Sequence, residues 1–323
     1  MRRSFNRSKW LNDRLYLLRF GPVRHVLKKI KGTSNDLIWL AFFPVFRGAE
    51  HLFPVARFYA VLKPFFGVRA ALHTAFRRKK MPANLPAFLQ ICGTGRIQTG
   101  FHTGLYLNHV LGFFPERLAS AKWTGRCQIE GLDHLTVARQ NRRPVVLAFC
   151  HFGPHFLLRF WLGVAGFPGG AFKAGKAPER TRLRQFTDTL RSKVTFYGDN
   201  GHEAAEFLKA GNLLLIGLDE PHGARIVVPF GGGWSFQMSD GAMRLASWHQ
   251  ADLIPCCIID EGTWNFRIKL SPPVPKEYLT LNTDWVRAGE YLIKKMSPDF
   301  HARPDQCSYD LMIRFKPGPP EPC

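Results

Sequence analysis

The sequence predicts an α/β fold with a mostly parallel central sheet and helices on both of its faces. From about residue 125 onward, short apolar runs alternate with helical stretches, which is typical of strands joined by helical crossovers. Runs such as VVLAF and LLLIGL are apolar throughout, as strands that are covered on both faces must be. A basic and aromatic N-terminal segment predicts an additional helical, membrane-associated region.

The predicted elements follow in chain order. Strands are expected at 145–150, 194–197, 213–218, 225–229, 253–259 and 266–270. Helices are expected at 132–140, 154–165, 179–192, 202–210 and 240–249. Because ligands of such sheets bind beyond the carboxyl ends of the strands, the residues that end each strand are the first candidates for chemistry.

The positive charge is concentrated at the N-terminus. Residues 1–80 hold 18 Lys and Arg against three acidic residues, while the whole chain carries a net charge of +21. The best apolar stretch in this region, residues 37–46, is too short to span a bilayer. We interpret residues 1–80 as a membrane-surface helical region, and an ordinary amphipathic layer with a solvated basic face is the alternative. Residues 81–317 then form the α/β domain, and the Pro-rich residues 318–323 form a flexible tail.

The composition bounds the function further. Hydrophobic residues make up 46% of the chain and charged residues 21%, which excludes a disordered protein. The strong basic balance favours anionic partners, namely anionic lipid, an acidic carrier protein or nucleic acid. No recognised nucleic-acid motif occurs, so no nucleic-acid partner is expected. The seven cysteines are scattered without a CxxC pair, which argues against a disulfide framework and for a reducing compartment.

His151 is the strongest candidate for chemistry. It lies where the first predicted core strand ends, and it is followed by Gly153 and by Pro154, which suits the first position of a helix. A helix N-terminus disfavours the imidazolium, so we expect a neutral imidazole that acts as a general base. Backbone N–H groups near Gly153, or a basic side chain, would then stabilise an oxyanion. The alternative is a structural histidine at a strand end.

Other candidates lie at or near the same edge of the predicted sheet. The carboxylates of Asp219 and Glu220 follow the strand at 213–218, and Gly231 begins a run of three glycines that permits close backbone approach. A basic stretch is expected to bind phosphates or carboxylates of a donor or acceptor, and its members include Lys173, Arg182, Arg184 and Arg191. His151 and His155 have the spacing of a metal-binding pair, but no third ligand is evident, so no metal site is expected.

Four segments, in order, resemble the bacterial lipid A late acyltransferases, a branch of the lysophospholipid acyltransferase superfamily. They are IEGLDHLTVARQNRRPVVLAFCHFG, LLLIGLDEPHGARIVVPFGG, SDGAMRLASWHQADLIPCCI and SPDFHARPDQCSYDLMIRFKP. The resemblance covers most of residues 30–317. It implies transfer of a fatty acyl group from an acyl carrier protein or coenzyme A thioester to a lipid hydroxyl, without a further cofactor. It also implies a peripheral or monotopic position on the cytoplasmic face of the bacterial inner membrane.

The chain departs from the family's His-x4-acid motif at one position. His151 corresponds to the motif histidine, but the acid that orients it falls at Phe156. Asp219 corresponds to the Asp that follows the family's middle strand, so the resemblance implies catalytic roles for His151 and Asp219. Either Glu220, Glu203 or His155 replaces the missing acid, or the protein is a catalytically silent relative that binds lipid or acyl carrier protein. The leading prediction is an active membrane-associated acyltransferase.

Overall fold

The computed structural model describes residues 42, 44–77, 94–112, 114, 117–173, 195–198, 201–220, 224–231, 233–280 and 285–317. Several predictions fall outside these described residues. They are the helix at 179–192, the boundary between residues 80 and 81, the tail at 318–323, and the three basic residues Arg182, Arg184 and Arg191.

The elements alternate through most of the chain. The strands are β1 Cys127–Glu130, β2 Val145–Phe149, β3 Gly169–Lys173, β4 Thr195–Tyr197, β5 Leu213–Gly217, β6 Arg225–Gly231, β7 Trp234–Ser239, β8 Asp252–Gly262, β9 Asn265–Leu270 and β10 Phe315–Pro317. The α-helices are α1 Val55–Arg77, α2 Thr94–Leu111, α3 Leu132–Gln140, α4 Leu158–Val164, α5 Gly201–Lys209, α6 Gly241–Trp248, α7 Val286–Ala302 and α8 Tyr309–Met312. Short 3₁₀ helices occur at His155–Leu157, Lys276–Tyr278 and Pro304–Gln306.

The central sheet has seven strands in the order β1-β9-β8-β2-β5-β3-β4. All neighbours pair in parallel except β8 and β9, which form an antiparallel hairpin. The prediction of a mostly parallel sheet is therefore confirmed. The hairpin departs from the predicted strand–helix–strand alternation because β8 and β9 are joined by a tight turn, at which Thr263 and Trp264 adopt a positive φ.

A second sheet of three antiparallel strands, β10-β7-β6, lies apart from the central one. The strand predicted at 225–229 exists as β6, but it pairs with β7 in this smaller sheet and not with the parallel strands. A turn that includes Gly233, at φ +73°, reverses the chain between β6 and β7. Gly231 and Gly233 thus belong to a hairpin.

The two faces of the central sheet carry two separate cores. In β2 the side chains alternate, so that Val146 and Ala148 pack on one face while Val145 and Leu147 pack on the other. The first core contains residues of α5, α6, α7 and the smaller sheet. The second contains residues of α1, α2, α3 and α4. Helices therefore cover both faces, as the apolar strands predict.

One aromatic side chain of the sheet makes several contacts with the N-terminal part of the chain. Trp264, fully buried at the turn between β8 and β9, packs against Phe58 and Tyr59 of α1 at ring-centroid distances of 5.2 Å, and against Trp123 at 5.7 Å. None of the described helices combines the length and the apolar character that crossing a bilayer requires.

Candidate functional site

The pairing of β2 with β5 brings the main candidates together. These strands run in parallel with Phe149 beside Gly217, and the N–H of Leu218 donates to the carbonyl oxygen of Phe149 over 2.8 Å. His151 and Asp219 each lie two residues beyond this last registered pair. The register therefore places the two side chains next to each other at the carboxyl edge of the sheet, where ligands of such folds bind.

Asp219 holds both the backbone and the ring of His151. Its Oδ1 atom lies 2.8 Å from Nδ1 of His151, and its two carboxylate oxygens accept the backbone N–H of His151 at 3.1 and 3.0 Å. Asp219 is fully buried, whereas the His151 side chain keeps 17% of its surface exposed. A proton on Nδ1 is thus fixed by the carboxylate, which leaves Nε2 of the neutral ring free to accept a proton from a bound molecule.

The surrounding backbone fixes this pair in turn. The Nε atom of Arg314, a buried side chain, donates to the carbonyl oxygen of Asp219 over 3.0 Å. The N–H of Ser308 donates to the carbonyl oxygen of His151 over 3.0 Å. Neither residue is indicated by the sequence reasoning, because both lie about 90 residues or more from Asp219 or His151 along the chain.

Two glycines let the chain pass close to the site. A Cβ atom on Gly217 would lie 3.5 Å from Cε1 of His151 and 3.1 Å from Cγ of Glu220. A glycine near the end of an apolar strand is a signal for such close approach. Gly153 has φ +55°, and a Cβ atom there would lie 2.1 Å from the carbonyl oxygen of Ile258, so only glycine fits.

The prediction that backbone N–H groups near Gly153 stabilise an oxyanion is not supported at Gly153 itself. Its N–H already donates to the carbonyl oxygen of Gln306 over 2.9 Å, and the next residue, Pro154, has no N–H. A basic side chain, the other option at the sequence level, is available in Lys173, which ends β3 beside β5. Its charge is close enough to lower the pKa of His151.

Glu220 faces the second ring nitrogen of His151. Its Oε1 atom lies 3.7 Å from Nε2. Burial acts to lower the pKa of His151, but the charge and hydrogen bond of Asp219, together with the charge of Glu220, raise that pKa above its ordinary value. The sequence predicts that a helix N-terminus disfavours the imidazolium, but two carboxylates, one at each ring nitrogen, act on the pKa of His151 in the opposite direction.

His155 does not replace the missing acid. Its ring packs against His151 at a centroid distance of 4.5 Å in an edge-to-face arrangement. Burial and the neighbouring charge of His151 lower the pKa of His155 well below its ordinary value, so it is a neutral packing partner. Phe156, at the position of the motif acid, stacks on His109 of α2 with ring centroids 4.4 Å apart and an interplanar angle of 8°.

Two further predicted residues, Gly231 and Glu203, lie in other elements of the fold. Gly231 lies at the end of β6, where it pairs with Trp234 in the hairpin of the smaller sheet. Glu203 is exposed in the first turn of α5. The carboxylate at Nδ1 of His151 is that of Asp219 and not that of Glu203. In the part of the chain that the structure describes, no group of three or more His, Cys, Asp or Glu side chains is placed to hold a metal ion.

The geometry is that of a general base with a fixed orientation. A buried carboxylate on Nδ1, an accessible Nε2 and a nearby lysine together suit deprotonation of a nucleophile and stabilisation of a developing negative charge. A sequence model of the family described as bacterial lipid A biosynthesis acyltransferase matches residues 111–306, which is more than half of the chain. The match includes His151, Asp219 and Lys173. Ser308 and Arg314 lie beyond it. A search of curated proteins finds no match to the chain.

Replacing Asp219 is expected to lower the pKa of His151. In Asp219→Asn the ring loses the largest favourable charge and its charged hydrogen-bond partner, so burial dominates and the imidazolium is destabilised. Glu220→Gln removes a smaller contribution and is expected to lower the same pKa less. The measurement is an NMR titration of the His151 ring in the full chain, assigned with His151→Ala. Asp133→Asn, at a carboxylate that is 75% exposed, is the control. A pKa that is unchanged or raised in Asp219→Asn would contradict the geometry.

Proposed function

The chain belongs to the bacterial lipid A biosynthesis acyltransferase family, and we propose that it is an active, membrane-associated member. In this proposal it moves a fatty acyl group from a thioester of acyl carrier protein or coenzyme A to a hydroxyl of a lipid or glycolipid. The observation that carries the proposal is the 2.8 Å contact between Asp219 and Nδ1 of His151. It supplies the orienting carboxylate that the motif position, Phe156, lacks.

The first step is attack on the thioester. The acceptor hydroxyl donates its proton to Nε2 of His151 while its oxygen forms a bond to the thioester carbonyl carbon. The electron pair of the carbonyl π bond moves to the carbonyl oxygen, which becomes an oxyanion. Asp219 stabilises the imidazolium that results, and Lys173, whose charge acts on His151, would stabilise the oxyanion.

The second step releases the products. The oxyanion re-forms the carbonyl, the carbon–sulfur bond breaks, and the thiolate takes the proton from Nε2 of the imidazolium. An ester and a free thiol leave, and the neutral ring is restored with its proton on Nδ1, hydrogen-bonded to Asp219. Arg182, Arg184 and Arg191 lie outside the described residues and stay predicted contacts to phosphates or carboxylates of the donor or acceptor.

An apolar stripe on α1 supports attachment to a membrane surface. Val61, Phe65, Val68 and Leu72 follow one face of the helix and keep 56 to 67% of their surface exposed. Arg57 lies on the same face one turn earlier and is also exposed. An apolar stripe beside a cation is what a helix lying in the plane of an anionic bilayer requires.

The positive net charge of the whole chain favours the proposed acyl donor. A chain with a net charge of +21 attracts acidic carrier proteins as well as anionic lipid. A peripheral or monotopic position on the cytoplasmic face of the inner membrane would give the enzyme access to both the carrier protein and the lipid acceptor. We therefore place it there, with acyl carrier protein or acyl-coenzyme A and anionic lipid as its partners.

His151→Ala is expected to abolish transfer. A deletion strain carrying the wild-type protein should contain an acylated lipid that is missing from the same strain carrying His151→Ala, as measured by lipid mass spectrometry. Asp219→Asn should reduce the transfer rate by roughly 10² to 10⁴-fold, on the scale known for orienting carboxylates. His202→Ala, an exposed histidine at the start of α5, is the control. Identical lipids from stably expressed wild type and His151→Ala would instead favour the silent binding relative.

Restoring the motif acid is expected to bring no gain. In Phe156→Glu the new carboxylate meets a ring whose Nδ1 is already bonded to Asp219, and the stacking on His109 is lost. We expect a turnover number at or below that of the wild type in a thioester-dependent transfer assay. Phe156→Leu, which keeps an apolar side chain, is the control. A clear increase in turnover for Phe156→Glu alone would mean that Asp219 orients His151 inadequately.

Removing the apolar stripe is expected to weaken membrane binding. The double variant Phe65→Ser with Val68→Ser should reduce binding to phosphatidylglycerol-containing vesicles by about a hundredfold or more, because each buried apolar side chain contributes roughly 1.5–3 kcal/mol. The measurement is vesicle flotation at fixed salt. Val137→Ser with Val164→Ser, two exposed apolar residues on α3 and α4, is the matched control. Equal binding by both double variants would argue against the stripe as the lipid contact.

A further inference from the structure

Glu220 places a second carboxylate at the ring of His151, at the nitrogen that Asp219 does not contact. Its Oε1 atom lies 3.7 Å from Nε2, whereas Oδ1 of Asp219 lies 2.8 Å from Nδ1. The side chains of Glu220 and His151 keep 16% and 17% of their surface exposed, so a bound molecule can reach both. Transfer to a hydroxyl needs one base and one orienting carboxylate. That reaction gives Glu220 no part.

The position of Glu220 is built into the end of β5. Gly217 is the last residue of that strand, and a Cβ atom there would lie 3.1 Å from Cγ and 3.7 Å from Oε1 of Glu220. The side chain of Glu220 therefore passes directly over a glycine, where a larger residue would crowd it. The same Cβ atom would lie 3.5 Å from Cε1 of His151. Gly217 thus allows the ring and the carboxylate to approach each other.

The gap between the two side chains is lined by two hydrogen-bond acceptors. At 3.7 Å, Oε1 of Glu220 and Nε2 of His151 are too far apart to share a hydrogen bond. One nitrogen atom can nevertheless lie within hydrogen-bonding distance of both, at about 2.9 Å from each. Nε2 of the neutral ring and an ionised carboxylate oxygen only accept. A primary amine can donate to both atoms, whereas a hydroxyl has one hydrogen and can donate to only one of them.

The charges around this gap favour a cation. Burial, and to a smaller extent Lys173, act to lower the pKa of His151, yet Asp219 and Glu220 raise it above its ordinary value. Positive charge is therefore favoured at the ring in spite of the neighbouring lysine. Arg314, a second cation near the carboxylates, already donates from Nε to the carbonyl oxygen of Asp219. An ammonium group beside Glu220 would form a charge-assisted hydrogen bond with it.

We propose that this site also transfers the acyl group to a primary amine of an acceptor lipid, with the nitrogen held between Nε2 of His151 and Oε1 of Glu220. The inference deepens the proposed function. It rests on that function for the thioester donor and the lipid acceptor, and it adds an amine to the hydroxyl as a nucleophile. The product of this second reaction is an amide.

An ammonium group has two protons to lose, and the site has two bases. One proton passes to Nε2 of His151, which frees the nitrogen lone pair to form a bond to the thioester carbonyl carbon. The electron pair of the carbonyl π bond moves to the oxygen, and Glu220 takes a second proton from the nitrogen. The carbonyl then re-forms, the carbon–sulfur bond breaks, and the thiolate takes the proton from Nε2. Glu220 releases its proton to water, so the products are an amide, a thiol and one proton.

The test compares octan-1-amine with octan-1-ol as acceptors for the full chain, with lauroyl-coenzyme A as the donor. Mass spectrometry measures the amide and the ester, and His151→Ala gives the background. We expect both products from the wild type. In Glu220→Gln the ratio of amide to ester should fall by about a hundredfold, the scale of one acid–base group. The ratio is decisive because the altered pKa of His151 in this variant affects both acceptors. Glu203→Gln, at an exposed glutamate of α5, should keep the wild-type ratio.

A second measurement does not depend on turnover. An ammonium group bound beside Glu220 opposes the imidazolium, so octan-1-amine should lower the pKa of His151 toward its value in Glu220→Gln. Octan-1-ol carries no charge and should leave that pKa unchanged. An NMR titration of the His151 ring with each compound measures the difference.

Three results would overturn the inference. They are formation of the ester without the amide by the wild type, a ratio of amide to ester that Glu220→Gln leaves unchanged, and a pKa of His151 that does not respond to the amine. The first of these would retain the proposed function. If the wild type forms neither product while the amine still lowers the pKa of His151, the amine site is retained and the proposed function is rejected.

Discussion

The register between β2 and β5 is the constraint on which the site depends. Because Phe149 lies beside Gly217 in parallel strands, the residues two positions further on emerge side by side at the sheet edge. A slip by one residue would turn either His151 or Asp219 to the opposite face. The apolar side chains of β2 and β5 alternate between two separate cores, so a slip would also expose or misplace both of them. The packing that stabilises the sheet therefore fixes the geometry of the base.

This arrangement explains how the chain tolerates an aromatic residue at the position of the motif acid. The Nδ1 atom of His151 carries one hydrogen and needs one acceptor, and Asp219 already supplies it from a neighbouring strand. Phe156 is then available for packing, and it stacks on His109 of α2. The segment after the base contributes to the contact between the sheet and the N-terminal helices, while orientation of the ring depends on β5.

Much of the fold follows from local sequence, and the site geometry follows from it only in part. The apolar runs predict β2 and β5 correctly, and α3 is predicted at its observed bounds. The order of the strands is a long-range property: β3 and β4 come between β2 and β5 in the chain but not in the sheet. No local pattern states that β2 adjoins β5. The contact of Asp219 with the ring, and the raised pKa that it causes, therefore required the structure.

The N-terminal helices illustrate why charge and aromatic content predicted a region but not its contacts. One face of α1 packs into the core through Phe58 and Phe66, and an adjoining face exposes Val61 and Phe65. Tyr59 lies on the buried side, where it packs against Trp264 at a ring-centroid distance of 5.2 Å. Apolar side chains of a single helix thus face both the core and the surface, so its sequence has only a weak amphipathic pattern. In the proposed function this has a direct use. A lipid whose chains stay in the bilayer beside Val61 and Phe65 would lie near the loop that carries the base, because Lys63 of α1 and Gly153 of that loop line one cavity.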